Sequence, residues 1–174
     1  MTITINGSGT ITGITAGGLP DATIQQADLA ANVAGNGPAF SAYGSGLQSF
    51  ANSTFTKVAY NAKEFDTNTN FDTTNNRFTP TAAGYYLLTA SFSFNGAASG
   101  AVIGSIYKNG SEFKRCAVVT NNSSAPILNL STLVYANGST DYFEVYGWQN
   151  SGASQTCGSA NAQQCFTGSM VRAA

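Results

Sequence analysis

The sequence predicts an all-β fold, a sandwich or jelly roll of short strands, and three observations predict it. Charged residues make up only 9% of the 174 residues, against about 25% in an ordinary globular chain. Ser, Thr, Asn and Gly fill the polar positions, where helix surfaces would carry Glu, Lys, Arg and Gln. From Pro38 onward, short apolar runs, several of them alternating with period two, are separated by Asn-Gly and other turn residues.

In chain order, residues 1–37 come first. They are Gly-rich, with the self-similar pieces TITINGSG and TITGITAGG. Each piece suits a short alternating strand, through Ile3 and Ile5 or through Ile11 and Ile14. After Pro20, DATIQQADLAANV predicts a short helix with Asp21 as its N-cap. Its apolar residues are few and small, so residues 1–37 are expected to be an arm that other chains cover, an anchor or trimerisation stem.

Residues 38–174 are expected to form the head. TFTKVAY (54–60), YYLLTASFSF (85–94), AVIGSIYK (101–108), EFKRCAVV (112–119), ILNLSTLVYA (127–136), YFEVYGW (142–148) and CFTGSMVR (165–172) read as strands. In the second of these, Tyr86, Leu88, Ala90, Phe92 and Phe94 share one face, with Thr89, Ser91 and Ser93 on the other. Asn-Gly pairs at 95–96, 109–110 and 137–138 mark turns. Lys108-Asn109-Gly110-Ser111 predicts a tight hairpin, because Asn and Gly both tolerate positive φ. No helix is expected after residue 37.

Several classes of chemistry are excluded. The chain has no histidine, which removes Ser-His-Asp and Cys-His arrangements and imidazole metal sites. Cys116, Cys157 and Cys165 lack the spacing of a zinc site. The eight acidic residues form no recognisable pair for glycoside hydrolysis. GNGPAFSAYGSG has glycines but no lysine, so it is not a phosphate loop. No enzyme is expected. Net charge is −1, with no basic run longer than Lys114-Arg115, so nucleic acid is not an expected partner. No run approaches the roughly 20 apolar residues of a membrane span, and MTITINGSG does not resemble a secretory leader. The protein is therefore expected to stay in a cytoplasm or to leave by lysis or a dedicated route. Cys157 and Cys165 flank a short loop and suit a disulfide in an oxidising medium; three reduced thiols are the alternative.

One set of intervals points to a family. Tyr60 is followed, after five residues, by Asp66, after four by Phe71, after six by Phe78, after five by Gly84 and after one by Tyr86. This spacing resembles the signature of the complement C-one-q globular head, whose jelly roll is shared with tumour necrosis factor. That pattern has Phe in place of Tyr60 and aromatics in place of Leu88 and Ala90. PAFSAYGSG (38–46) resembles the family's first strand and IYKNGSEF (106–113) its central hairpin. LVYANGSTDYFEVYGWQNSG (133–152) resembles the segment where a turn and an acidic residue precede an apolar strand. FTGSMV (166–171), with Phe166 and Gly168, resembles the closing strand. The resemblance implies a jelly roll over 38–172, with Tyr60, Asp66, Phe71, Phe78, Gly84, Tyr86, Phe166 and Gly168 as framework and Gly84 at a bend. It also implies a homotrimer, with outward aromatics such as Tyr85 or Tyr142 at the interface. Some relatives bind calcium through aspartates and backbone oxygens. Asp66 and Asp72 lie near such loops, but no D-x-D-x-D cluster exists, and Asx-turns are the preferred reading. No cofactor is expected.

GLPDATIQQADLAANV resembles the linker before such heads in bacteriophage fibre proteins. The expected function is a non-catalytic phage virion surface protein, trimeric and exposed on the particle. The arm would contact other virion proteins, and the head would bind a host surface glycan or receptor. Tyr146 and Trp148, alternating on one strand, are the candidate ligand-binding residues. A capsid decoration protein and a secreted binding module are the alternatives.

Overall fold

Alternation and turn chemistry become thirteen strands in a computed structural model, which describes residues 35–95, 100–121, 126–158 and 163–174. They are β1 (Ala39–Tyr43), β2 (Gln48–Phe50), β3 (Thr56–Lys57), β4 (Ala62–Asp66), β5 (Phe71–Asp72), β6 (Arg77–Phe78) and β7 (Ala83–Asn95). They continue with β8 (Gly100–Lys108), β9 (Ser111–Asn121), β10 (Ile127–Asn137), β11 (Phe143–Gln149), β12 (Gln155–Cys157) and β13 (Cys165–Ala173). Among the described residues there is no α-helix. The arm strands, the 21–33 helix with Asp21 and the second residue of the 95–96 turn lie outside the described residues.

The strands form two antiparallel sheets. In the first, β4, β1, β13, β7 and β10 lie side by side, and β12 and β2 continue from the end of β7. In the second the order is β5-β6-β11-β8-β9, with β3 also on β11. β1 is an interior strand, paired with β13 from Ala39↔Ser169 to Tyr43↔Cys165 and with β4 on its other side. Since β13 runs on to Ala173 beside Gly84, the chain enters and leaves the head at one end of the sandwich.

β7 shows how pattern becomes packing. Tyr86, Leu88, Phe92 and Phe94 are wholly buried and Ala90 nearly so, while Tyr85 and Leu87 stay exposed. A strand cannot turn one set inward without turning the other outward. The inward set meets a ring cluster centred on Phe40, which stacks on Phe78 at 4.4 Å and Phe71 at 4.9 Å and meets Phe166 edge-on at 5.0 Å. Tyr60 joins through Phe166, and Tyr86 through Phe78. The five framework aromatics thus form one assembly with a ring, Phe40, that the intervals do not include. A second cluster of Phe50, Phe92 and Phe94 fills the other end.

One framework residue acts differently from expectation, and Asp66 takes a turn role as expected. Gly84 is not at a bend; it lies within β7. A Cβ there would fall 2.5 Å from the Arg172 carbonyl oxygen, so the requirement is a close backbone approach at the β13 bulge. Asp66 is not in the core. It closes the β4–β5 turn, accepting the amide hydrogens of Asn70 and Phe71, both at 3.0 Å, and the Lys63 ammonium at 3.0 Å. Gly168 leaves room for Leu88 and Phe40, whose atoms would lie 2.6 and 2.7 Å from its Cβ. The 108–111 hairpin closes as the sequence requires, with φ of 53° at Asn109 and 78° at Gly110.

Candidate functional site: an apolar face and an aromatic platform

Each sheet has an outward face, and the two differ. On the first sheet, β7, β10 and β13 carry one charged residue between them, Arg172. Their register places Tyr85 opposite Tyr135 and Leu87 opposite Leu133 on the outward side. These four are 40–56% exposed, and the two tyrosine rings sit 5.5 Å apart. Phe65 on β4, Ile127 on β10 and Val171 at the β13 bulge are also 44–53% exposed. Seven of the ten exposed large hydrophobic side chains among the described residues therefore belong to this sheet. Toward the far end the face becomes polar: Thr89 and Thr167 share a hydrogen bond of 2.6 Å, and Ser91 meets Cys165 at 3.2 Å. A shallow depression of about 260 Å³ runs beside Phe65, Leu87 and Thr167.

On the second sheet, Tyr146 and Trp148 point outward from β11, as their alternation requires. Two further rings that the sequence reading did not single out join them: Tyr107 from β8 and Phe55 from the segment before β3. Tyr107 stacks on Tyr146 at 3.9 Å, and Phe55 lies 6.1 Å from Tyr107 and 6.3 Å from Trp148. All four are half-buried. Register could have shown Tyr107, since Tyr146 pairs with Ser105 and Glu144 with Tyr107; Phe55 precedes a two-residue strand and gives no periodic signal.

Two ion pairs border these rings. Lys57 reaches Glu144 at 2.9 Å, and Arg115 reaches Glu112 at 2.8 Å through both Nε and Nη2. The Arg115 guanidinium also lies 5.7 Å from the Phe55 ring centre. The wholly buried Ser105 donates to Glu112 at 2.7 Å. Hydrogen bonds from Arg115 and then Ser105 hold the Glu112 carboxyl below its usual range. Burial, and after it the Glu112 charge, pushes the Tyr107 hydroxyl up.

The remaining expected site residues are placed elsewhere. Tyr142 takes the Arg77 guanidinium over its ring at 4.8 Å, away from the apolar face. Asp72 caps its own turn, accepting from the Thr74 and Asn75 amides, and Asp66 is occupied as described. Asp72 thus forms an Asx-turn, while the bonds to Asp66 come from amides four and five residues along the chain. Among the described residues no three His, Cys, Asp or Glu side chains gather into a metal-binding group. Of the two states that the sequence leaves open for Cys157 and Cys165, the structure has the reduced one: both are free thiols. Their register partners on β7, Phe94 and Ser91, are three residues apart, a separation of roughly 10 Å along a strand. A disulfide needs Cα atoms within about 7 Å. The side chains also diverge, Cys157 being buried and Cys165 meeting Ser91 on the outward face. Burial pushes the Cys157 thiol up to about 12, which leaves it unreactive.

No protein-family model matches the chain, and no curated protein matches it by sequence. Solved structures do. The globular domain of zebrafish complement 1qA protein is 15% identical with a TM-score of 0.53, over 79% of this chain and 98% of that one. The Eiger TNF of S. frugiperda is 8% identical with a TM-score of 0.56, over 79% and 92%. Murine APRIL is 12% identical with a TM-score of 0.57, over 75% and 96%. The fold is the jelly-roll β-sandwich of the complement globular head and tumour necrosis factor.

Proposed function

We propose that this chain is a non-catalytic homotrimeric head exposed on a bacteriophage virion, assembled through the outward face of its first sheet and binding a host surface glycan or receptor. The largely apolar face of β7, β10 and β13, with Arg172 as its one charged residue, carries the reading. Monomers rarely leave a contiguous apolar surface of this kind in water. A second copy is the occupant that fits. Beside the face lies the open edge made by β9 and β10, where Phe113, Val118 and Ile127 are 41–60% exposed. A face meeting an edge is a heterologous contact, which generates a closed ring when the rotation closes. The family resemblance makes that ring a trimer. The phage setting rests on the linker-like GLPDATIQQADLAANV.

Light scattering on the full chain tests the assembly: a mass three times 17.9 kDa is expected, and a monomer at micromolar concentration overturns it. Quantifying the protein in purified particles tests the setting. A few copies with loss of adsorption on deletion indicate a fibre tip; capsid-symmetric copies with weakened heads indicate decoration; absence from the particle rejects both.

A further inference from the structure

We propose that Phe55, Tyr107, Tyr146 and Trp148 form a platform for an uncharged pyranose sugar on the outward face of the second sheet. This rests on the surface-head reading and names the ligand class and the site. Four rings from three chain segments meet on a face that needs none of them for the core, since the core cluster contains none of them. β3, β11 and β8 support them through continuous ladders, so the platform is preorganised and little freedom is lost on binding.

The charges select among ligands. Two cations and two carboxylates border the rings, and each cation is already paired. An anionic ligand would meet the accessible Glu112 carboxylate as well as the cations, and a cationic one would compete with Arg115 over Phe55. An uncharged ring with an apolar C–H face and a hydroxyl rim meets neither obstacle. Its apolar face lies on the aromatic surface. Its hydroxyls donate to the Glu112 carboxylate, fixed by Ser105 and Arg115, and such charge-assisted bonds are the strong ones. A protein partner, with a standard interface of about 800 Å² a side, would need a broader apolar surround than Ile103 and Val118 provide.

Trp148 is the only tryptophan in the chain, so its fluorescence reports the platform directly. The full chain is titrated with neutral oligomers of glucose, galactose, mannose and N-acetylglucosamine, and with sialyllactose as an acidic probe, with calorimetry in parallel. At least one neutral oligomer is expected to shift Trp148 emission in a saturable way. Tyr146→Ala and Phe55→Ala are expected to weaken that binding at least about tenfold, with the assembly mass unchanged. No binding of any neutral oligomer up to about 10 mM, full binding retained by both variants, or tighter binding of sialyllactose each overturns the platform. Mass and particle copy number remain as separate measures of the head itself.

Discussion

At the level of single residues, Phe40 and Asp66 show two ways a side chain holds this fold. Phe40 contacts three other core rings and is 1% exposed. Phe40→Ala is expected to cost about 3–5 kcal/mol, read from the urea midpoint. Burial works against the Asp66 charge, but the Phe71 and Asn70 amides and Lys63 outweigh it and hold the carboxyl below its ordinary value. Its contribution is therefore complete above the unfolded carboxyl value of about 3.9 and is lost as pH falls through the lower folded value. Asp66→Asn is expected to cost about 1–3 kcal/mol at neutral pH. The gap from the parent protein should shrink below about pH 4, measured by denaturant unfolding at both pH values. The sequence intervals identified four of the five framework rings, with Phe166 supplied by the closing-strand resemblance, because aromatic positions are fixed by the inter-sheet gap. They do not include Phe40, which reaches the same gap from the first strand, and the bend expected at Gly84 is instead a close backbone approach that depends on which strand passes beside it.

At the level of elements, alternation and turn chemistry located the long strands well. Every segment expected to be a strand between residues 54 and 172 contains one, although TFTKVAY is regular only over Thr56–Lys57 and then sends Val58 and Tyr60 into the core. The missed strands, β2, β4, β5, β6 and β12, have two to five residues. Most are too short to show a period, and the β5–β6 pair is pinned by tertiary bonds such as Thr79 N–H to the Asn70 carbonyl at 2.8 Å. The 108–111 hairpin was fully legible, because positive φ restricts residue choice. Its turn also ties β11: Asn109 accepts the Tyr142 amide at 2.9 Å and donates to Asp141 at 2.8 Å. Gly110→Ala is expected to cost about 1–2 kcal/mol, since φ is 78° and a Cβ would meet the Tyr142 hydroxyl at 3.2 Å. Thermal unfolding of the variant checks this.

At the level of the whole molecule, one sandwich presents two unlike faces, one largely apolar and exposed, the other aromatic and bordered by ion pairs. The sequence reading found one residue of the first, Tyr85, and two of the second. It could not assemble either, because faces depend on which strands become neighbours. Leu133→Asp places a carboxylate at the middle of the apolar face. It is expected to convert the assembly to a 17.9 kDa species with unchanged circular dichroism, checked by light scattering; an unaltered mass would move the interface elsewhere.

The interior position of β1 has a mechanical consequence. Under the proposed function, a head anchored through its N-terminal side and pulled by a bound cell would feel tension along β1. That strand lies between β13 and β4, so the load falls on two ladders together and in shear. The hydrogen bonds must then fail nearly at once rather than peel in turn, and slow forced unfolding is the quantity such an anchor requires.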